Sequence, residues 1–212
     1  MAQIDEYTTI NGAGCDELTE KKSRFIGYAS PVSTANEALE FVKSIKKKHN
    51  DARHNCFAYA LRNGEMRYSD DGEPQGTAGQ PILDVLQRGG IADCVVVVTR
   101  YFGGILLGTG GLTHAYSDAA KLSINAAGLV KMTRVLECSL CCDYSIYGSV
   151  QTLIAKYGVI MSDSVFEDNV RLNLLCLPEK VDDFAAELTE ISAGRLKLTK
   201  NGEKFIKITP RN

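Results

Sequence analysis

Apolar and polar positions change rhythm repeatedly along the chain, and each change marks an element. Residues 22–32, KSRFIGYASPV, are rich in β-formers and stop at Pro31, which predicts a strand. Thr34 and Glu37 then stand as a capping box, and Leu39, Val42 and Ile45 recur at helical spacing. The predicted helix ends in Lys46, Lys47 and Lys48, cations that complement the negative end of its dipole. Short strands follow near 55–61 and 65–68, with Asn63-Gly64 as the hairpin turn. A turn-rich stretch, SDDGEPQGTAGQ at 69–80, leads to Pro81 as the first residue of a helix through Gln87, closed by Gly89-Gly90. Residues 93–100, with four consecutive valines, predict a strand buried on both faces. A glycine-rich loop from Gly103 to Gly111 follows, then a helix over about 113–127 that Gly128 ends.

From about Val135 the punctuation thins. The pattern predicts a strand at 135–144, a helix at 147–157, strands at 159–166 and 169–177, a helix at 179–192 and a strand at 203–208. This βαββαβ order is the ferredoxin-like, split-βαβ arrangement. The fold class expected is α+β in two domains, 1–133 and 134–212.

Composition narrows the functions open to such a chain. Its 212 residues, 44% hydrophobic and 24% charged, suffice for two modest cores without disulfide staples. A net charge of −2 argues against coating nucleic acid by bulk charge, although a local basic patch remains open. The first ten residues hold two acids and no apolar run, which predicts neither signal nor transit peptide. The longest apolar run, around 94–98, falls far short of the roughly 20 residues that span a bilayer. A cytoplasmic location and no membrane partner are expected. The seven cysteines, odd in number and irregular in spacing, read as reduced thiols. Cys138 and Cys141 form a CxxC, but Leu136, Cys138, Leu140, Cys142 and Tyr144 alternate as one face of a strand, so no metal is expected there.

Two segments could carry chemistry. The glycine loop at a helix start could hold an anion, since glycines allow close backbone approach and the helix offers free N–H groups. It lacks the Lys of a Walker A loop and the second strand of a Rossmann unit, and a purely conformational glycine turn is the other reading. The acidic turn Asp70-Asp71-Gly72-Glu73 could hold a hard cation, or be an ordinary turn. Of His49, His54 and His114, none stands in a recognisable serine or cysteine context. No catalytic residue and no cofactor are assigned.

SDDGEPQGTAGQPIL at 69–83 and VVVVTRYFGGILLGTGGLTHAY at 95–116, with KSRFIGYASPV at 22–32 and ARHNCFAY at 52–59, resemble the signature of the IMPACT/YigZ family. The resemblance covers about 20–127, and the tail is similar to the small C-terminal domain of bacterial members. It implies an N-terminal domain like the second domain of ribosomal protein S5, an α/β fold shared with domain IV of elongation factor G and with GHMP kinases. It implies a C-terminal ferredoxin-like domain similar to domain V of elongation factor G. Asp71, Gly72, Glu73, Gly76, Thr77 and Gly79 fall on the first family motif; Arg100, Tyr101, Gly103, Gly104, Gly108, Gly110 and Gly111 fall on the second. His114 stands where many relatives carry Arg or Lys. In eukaryotes the family regulates translation through a stress-kinase pathway, aided by an RWD domain for which 212 residues leave no room.

The resemblance thus implies a non-enzymatic, translation-linked binding protein that contacts the ribosome, RNA or a translation factor. Lys22, Arg24, Arg100 and the 46–48 lysines would meet phosphates, and Tyr101 or Phe102 would stack on a base. Arg100, at the exposed end of a buried strand, is expected to contribute mostly charge. The rivals are an enzyme acting on a phosphorylated small molecule or nucleotide, with Asp71 and Glu73 on magnesium, and a protein–protein adaptor without nucleic-acid affinity. In every version the two motifs are expected on one face.

Overall fold

The computed structural model describes residues 5–208. The elements are β1 (Glu6–Ile10), β2 (Gly14–Glu20), β3 (Ser23–Pro31), α1 (Ala35–Lys48), β4 (His54–Ala60), β5 (Met66–Ser69), α2 (Gly79–Arg88), β6 (Cys94–Tyr101), α3 (Gly108–Ala127), β7 (Leu129–Cys142), α4 (Tyr144–Tyr157), β8 (Ile160–Phe166), β9 (Val170–Cys176), α5 (Val181–Ile191) and β10 (Thr199–Lys207). They form two compact units, one of residues 7–131 and one of 132–208 with 5–6. Asp5 joins the second unit because its carbonyl accepts from the Arg134 backbone and its carboxylate from the Arg134 guanidinium.

In the first unit an antiparallel sheet runs β2-β3-β6-β4-β5. The four valines behave as predicted. Val96 and Val98 face one core with Phe25, Ile82, Leu86 and Tyr116, while Val95 and Val97 face another with Val42 and Ile45. Helix α1 therefore covers one face of the sheet, and α2 and α3 the other. Thr34 Oγ1 accepts from Glu37 N as the capping box requires, and Glu37 returns its bond one residue early, to Ser33 N.

Two differences from the sequence reading matter for the site. Strands β1 and β2 were not anticipated; β2 is an edge strand with mostly solvent-facing residues and little apolar alternation. Helix α3 begins at Gly108, not near 113, so Gly110 and Gly111 are helical and the loop shrinks to 102–107. Each helical glycine costs up to about 1 kcal/mol relative to alanine. Burial of Leu112, Ala115, Tyr116, Ala119 and Ala120 overrides that preference. The small face of α3 also meets Gly27, where an added Cβ would collide with the Ala119 carbonyl oxygen.

In the second unit the strand order β10-β7-β9-β8, every pair antiparallel, is the ferredoxin-like arrangement. Cys138, Cys142 and Cys176 pack in its core with Leu172, Leu174 and Phe184, so the alternating cysteines are packed strand thiols. The expected α+β class holds for both units. Among the described residues no helix is long and apolar enough to cross a membrane.

Candidate functional site

The acidic turn folds because its first carboxylate binds the turn's own backbone. Asp70 accepts from the N–H groups of Gly76, Ala78 and Gly79, satisfying donors at the start of α2 that no side chain of the helix caps. Asp71 adopts φ +41°, and its carboxylate takes Lys46 Nζ at 2.6 Å and the Asn55 N–H at 2.8 Å. Its carbonyl lies 3.0 Å from His54 Nδ1, which must therefore carry the proton. Thr77 is buried, and its hydroxyl donates to the Pro74 carbonyl.

Glu73 turns inward. Its Oε1 accepts from Arg100 Nη1 at 2.7 Å and from the Tyr116 hydroxyl at 2.8 Å. The side chains of Arg100 and Glu73 are 7% and 4% exposed. The guanidinium lies 5.4 Å from the Phe25 ring and 5.5 Å from the Phe102 ring, and Phe25 meets Tyr116 edge-on at 5.2 Å. Burial pushes the Tyr116 hydroxyl far above the ordinary phenol range, with the Cys56 thiol and Glu73 adding to it. Burial likewise pushes up the Cys56 thiol, which donates to the Asp70 carbonyl. Tyr116 is thus a fixed neutral donor, and Cys56 is not a nucleophile.

Several expectations are corrected. Arg100 is no exposed charge: β6 buries it facing α3, where Glu73 neutralises it. Asp71 and Glu73 do not form an open magnesium site, since Lys46 and the Asn55 backbone hold one and Arg100 and Tyr116 the other. Among the described residues no three His, Cys, Asp or Glu side chains group to hold a metal ion.

The glycines divide by role. Gly103 donates its N–H to Ser23 Oγ, and an added Cβ would fall on the Lys22 carbonyl group. Gly104 and Gly108 need φ of +86° and +74°. Gly110 has open space around it and no positive φ, and at Gly111 a Cβ would meet only the Leu107 side chain, at 3.1 Å. Above this anchored loop Phe102, Ile105 and Leu106 are 52%, 42% and 82% exposed. Arg24, on the surface, pairs with Glu17. Tyr101 faces the other side of the sheet, where its hydroxyl donates to Asp51 and lies 2.9 Å from His49 Nδ1.

The two motifs do converge, through Glu73–Arg100. Arg24 and Tyr101 lie outside that cluster, although they are register partners across β3 and β6. Sequence reasoning missed Phe25, Cys56 and Tyr116, while Asp70, named there as a possible cation ligand, instead binds the turn's own backbone. Only Tyr116 carried a signal, as a large polar-tipped residue on a helix of small ones.

An antiparallel sheet with a buried Arg–Glu–Tyr cluster beneath an anchored loop, in a chain that also holds a ferredoxin-like unit, defines a two-domain α+β protein. Its sequence matches the Impact N-terminal domain over residues 21–124 and a domain of unknown function, DUF1949, over 140–195. IMPACT family member YvyE of Bacillus subtilis is 37% identical over 204 residues, covering 94% of this chain and 93% of that protein. A Protein IMPACT homolog of Dictyostelium discoideum is 35% identical over 130 residues, 58% of this chain and 36% of that one. A crystal structure titled as that of a hypothetical protein superposes with a TM-score of 0.63 at 32% identity, covering 94% of this chain and 98% of the other. The chain belongs to the IMPACT family.

Proposed function

We propose that this chain is a translation-linked binding protein that contacts a ribosomal particle, RNA or a translation factor through loop 102–107. The observation that carries the reading is an apolar surface on a fixed support. Phe102, Ile105 and Leu106 stay in solvent, while Gly103 is tied to Ser23 and Arg100 is locked to Glu73. A surface held rigid before contact loses little entropy on binding. Lys21 and Lys22, both exposed, stand beside the loop's anchor and add positive charge, whereas Arg24 is paired with Glu17. The engaged carboxylates of Asp70, Asp71 and Glu73 fit a scaffold that shapes a surface rather than one that performs chemistry. The match to a eukaryotic protein of the IMPACT name supports a regulatory role at the level of the family. Sedimentation with ribosomes at low and high salt tests the reading: cosedimentation at low salt is expected. Absence of the protein from every ribosomal fraction at low salt would remove the ribosomal version.

A further inference from the structure

We infer that Arg100 is a gated receptor for a phosphodiester of a single-stranded nucleic acid, with Phe102 as its cover. The inference rests on the binding reading above and gives it a ligand chemistry. A guanidinium presents five donors in a planar fork, and its Nε–Nη2 edge can meet an oxyanion with two parallel bonds. Glu73 takes only Nη1, and Nε is buried without a partner. Nη2 is likewise without a hydrogen-bond partner among the described residues. A buried donor left unmade is uncommon enough in a folded protein to need a reason.

The rings flanking the guanidinium differ in freedom. Phe25 is fully buried and packs edge-on against Tyr116, so moving it would open the core. Phe102 is 52% exposed and precedes Gly103 and Gly104, the second at φ +86° in open space. The side that can open is therefore the Phe102 side, by rotation of the ring alone, since the backbone beside it stays tied through Gly103 to Ser23. Opposite Arg100 in register across β4 and β6 stands His54, whose Nδ1 is taken by the Asp71 carbonyl and whose Nε2 has no partner among the described residues. Directly opposed side chains on one sheet face lie about 5 Å apart at Cβ, so His54 borders the same edge.

Charge selects among oxyanions. Arg100 is balanced by Glu73, and Asp71 by Lys46. A monoanion can join this set far more easily than a phosphomonoester, which carries about −1.5 to −2 charges at neutral pH. A phosphodiester is a monoanion, and its adjoining base gives the displaced Phe102 ring a flat partner to stack on. An acidic side chain has the right charge but carries no ring of its own.

The test is fluorescence anisotropy at low salt with a labelled ten-residue oligouridylate, against a labelled decaglutamate peptide, using the full chain. The wild type should bind the oligouridylate more tightly than the peptide. Arg100→Lys keeps the charge and loses the fork, and should weaken binding about tenfold, the lower end of a lost bond to a charged group. Should Arg100→Lys melt early, surface variants decide instead: Phe102→Ala should weaken binding at least about fivefold, and Phe102→Trp should retain it. Oligouridylate binding that ignores both Phe102→Ala and a folded Arg100→Lys overturns the inference, as does tighter binding of decaglutamate. Ribosome cosedimentation without oligouridylate binding sinks this inference alone; loss of both also removes the ribosomal and RNA versions of the wider reading.

Discussion

Glu73 and Arg100 stand 27 positions apart in the chain, yet Arg100 Nη1 lies 2.7 Å from Glu73 Oε1 with both side chains withdrawn from solvent. Breaking a buried pair leaves an uncompensated charge, which typically costs about 3–5 kcal/mol. Arg100→Ala should therefore lower stability by about that much. The double variant Arg100→Met with Glu73→Leu should recover only part of the loss, because two apolar side chains replace two desolvated charges but the buried Tyr116 hydroxyl loses its acceptor. Urea unfolding of the three proteins measures this. A single variant that unfolds at the wild-type urea midpoint would mean that Glu73 finds water or another partner.

Gly103 and Gly110 look alike in sequence and should respond with opposite signs. At Gly103 an added methyl group falls on the Lys22 carbonyl, backbone that cannot yield cheaply. Gly103→Ala should cost about 1–3 kcal/mol, the range for overpacking. Gly110 is exposed, helical and surrounded by open space, so Gly110→Ala should stabilise by about 0.5–1 kcal/mol. Melting temperatures moving in the same direction for both would contradict this division of the glycine motif.

The elements built on strong periodicity were legible. The capping box of α1, the doubly buried valines of β6 and the alternating cysteines of β7 all carry patterns set by local physics. The start of α3 was not, because glycine's low helix propensity points to a loop and only the packing of Leu112 and Tyr116 reverses it. The site was half legible: motif residues Glu73 and Arg100 were named, but with the wrong exposure. Whether a carboxylate faces solvent or a buried guanidinium depends on which strand face receives it, and a turn of Asp, Gly and Pro does not encode that. Tyr116 lies 43 positions from Glu73, and no spacing rule joins them.

On the other face of the sheet, His49 makes stability depend on pH. Tyr101 donates to Asp51, so His49 Nδ1–H donates to Tyr101 and Nε2 accepts from Tyr28, at 2.7 Å. Burial, and then the neighbouring Lys48 and Arg24, lower the pKa of His49, against the opposing pull of Asp51. The unfolded chain, titrating near the ordinary 6.5, then binds the proton more readily than the folded one. The contribution is complete above pH of about 6.5 and is lost as pH falls through the lowered folded value. Wild type should lose melting temperature between about pH 7 and 5 more steeply than His49→Gln, whose amide cannot titrate. Parallel pH profiles for the two proteins would show that the tyrosine–histidine chain contributes no linkage.

Leu106 gives the most direct test of the proposed contact surface. At 82% exposure it makes almost no contribution to the core, and neighbouring Ile105 and Phe102 are also in solvent. Leu106→Glu should leave the melting temperature within about 1–2 °C of wild type, as surface substitutions usually change stability by less than ~0.5 kcal/mol. At the contact it should act twice, removing apolar area and placing a negative charge where the partner would sit. A leucine buried at an interface contributes about 1.5–3 kcal/mol, so affinity for ribosomal particles should fall by roughly tenfold or more. Leu106→Lys separates the two effects, because it removes the apolar side chain yet adds charge favourable to phosphate. If the partner surface is RNA, Leu106→Lys should retain binding at low salt and lose it steeply as salt rises. If the partner surface is an apolar protein groove, both variants should weaken binding at every salt concentration. Cosedimentation of both variants at wild-type levels, with melting temperatures intact, would move the contact surface away from loop 102–107.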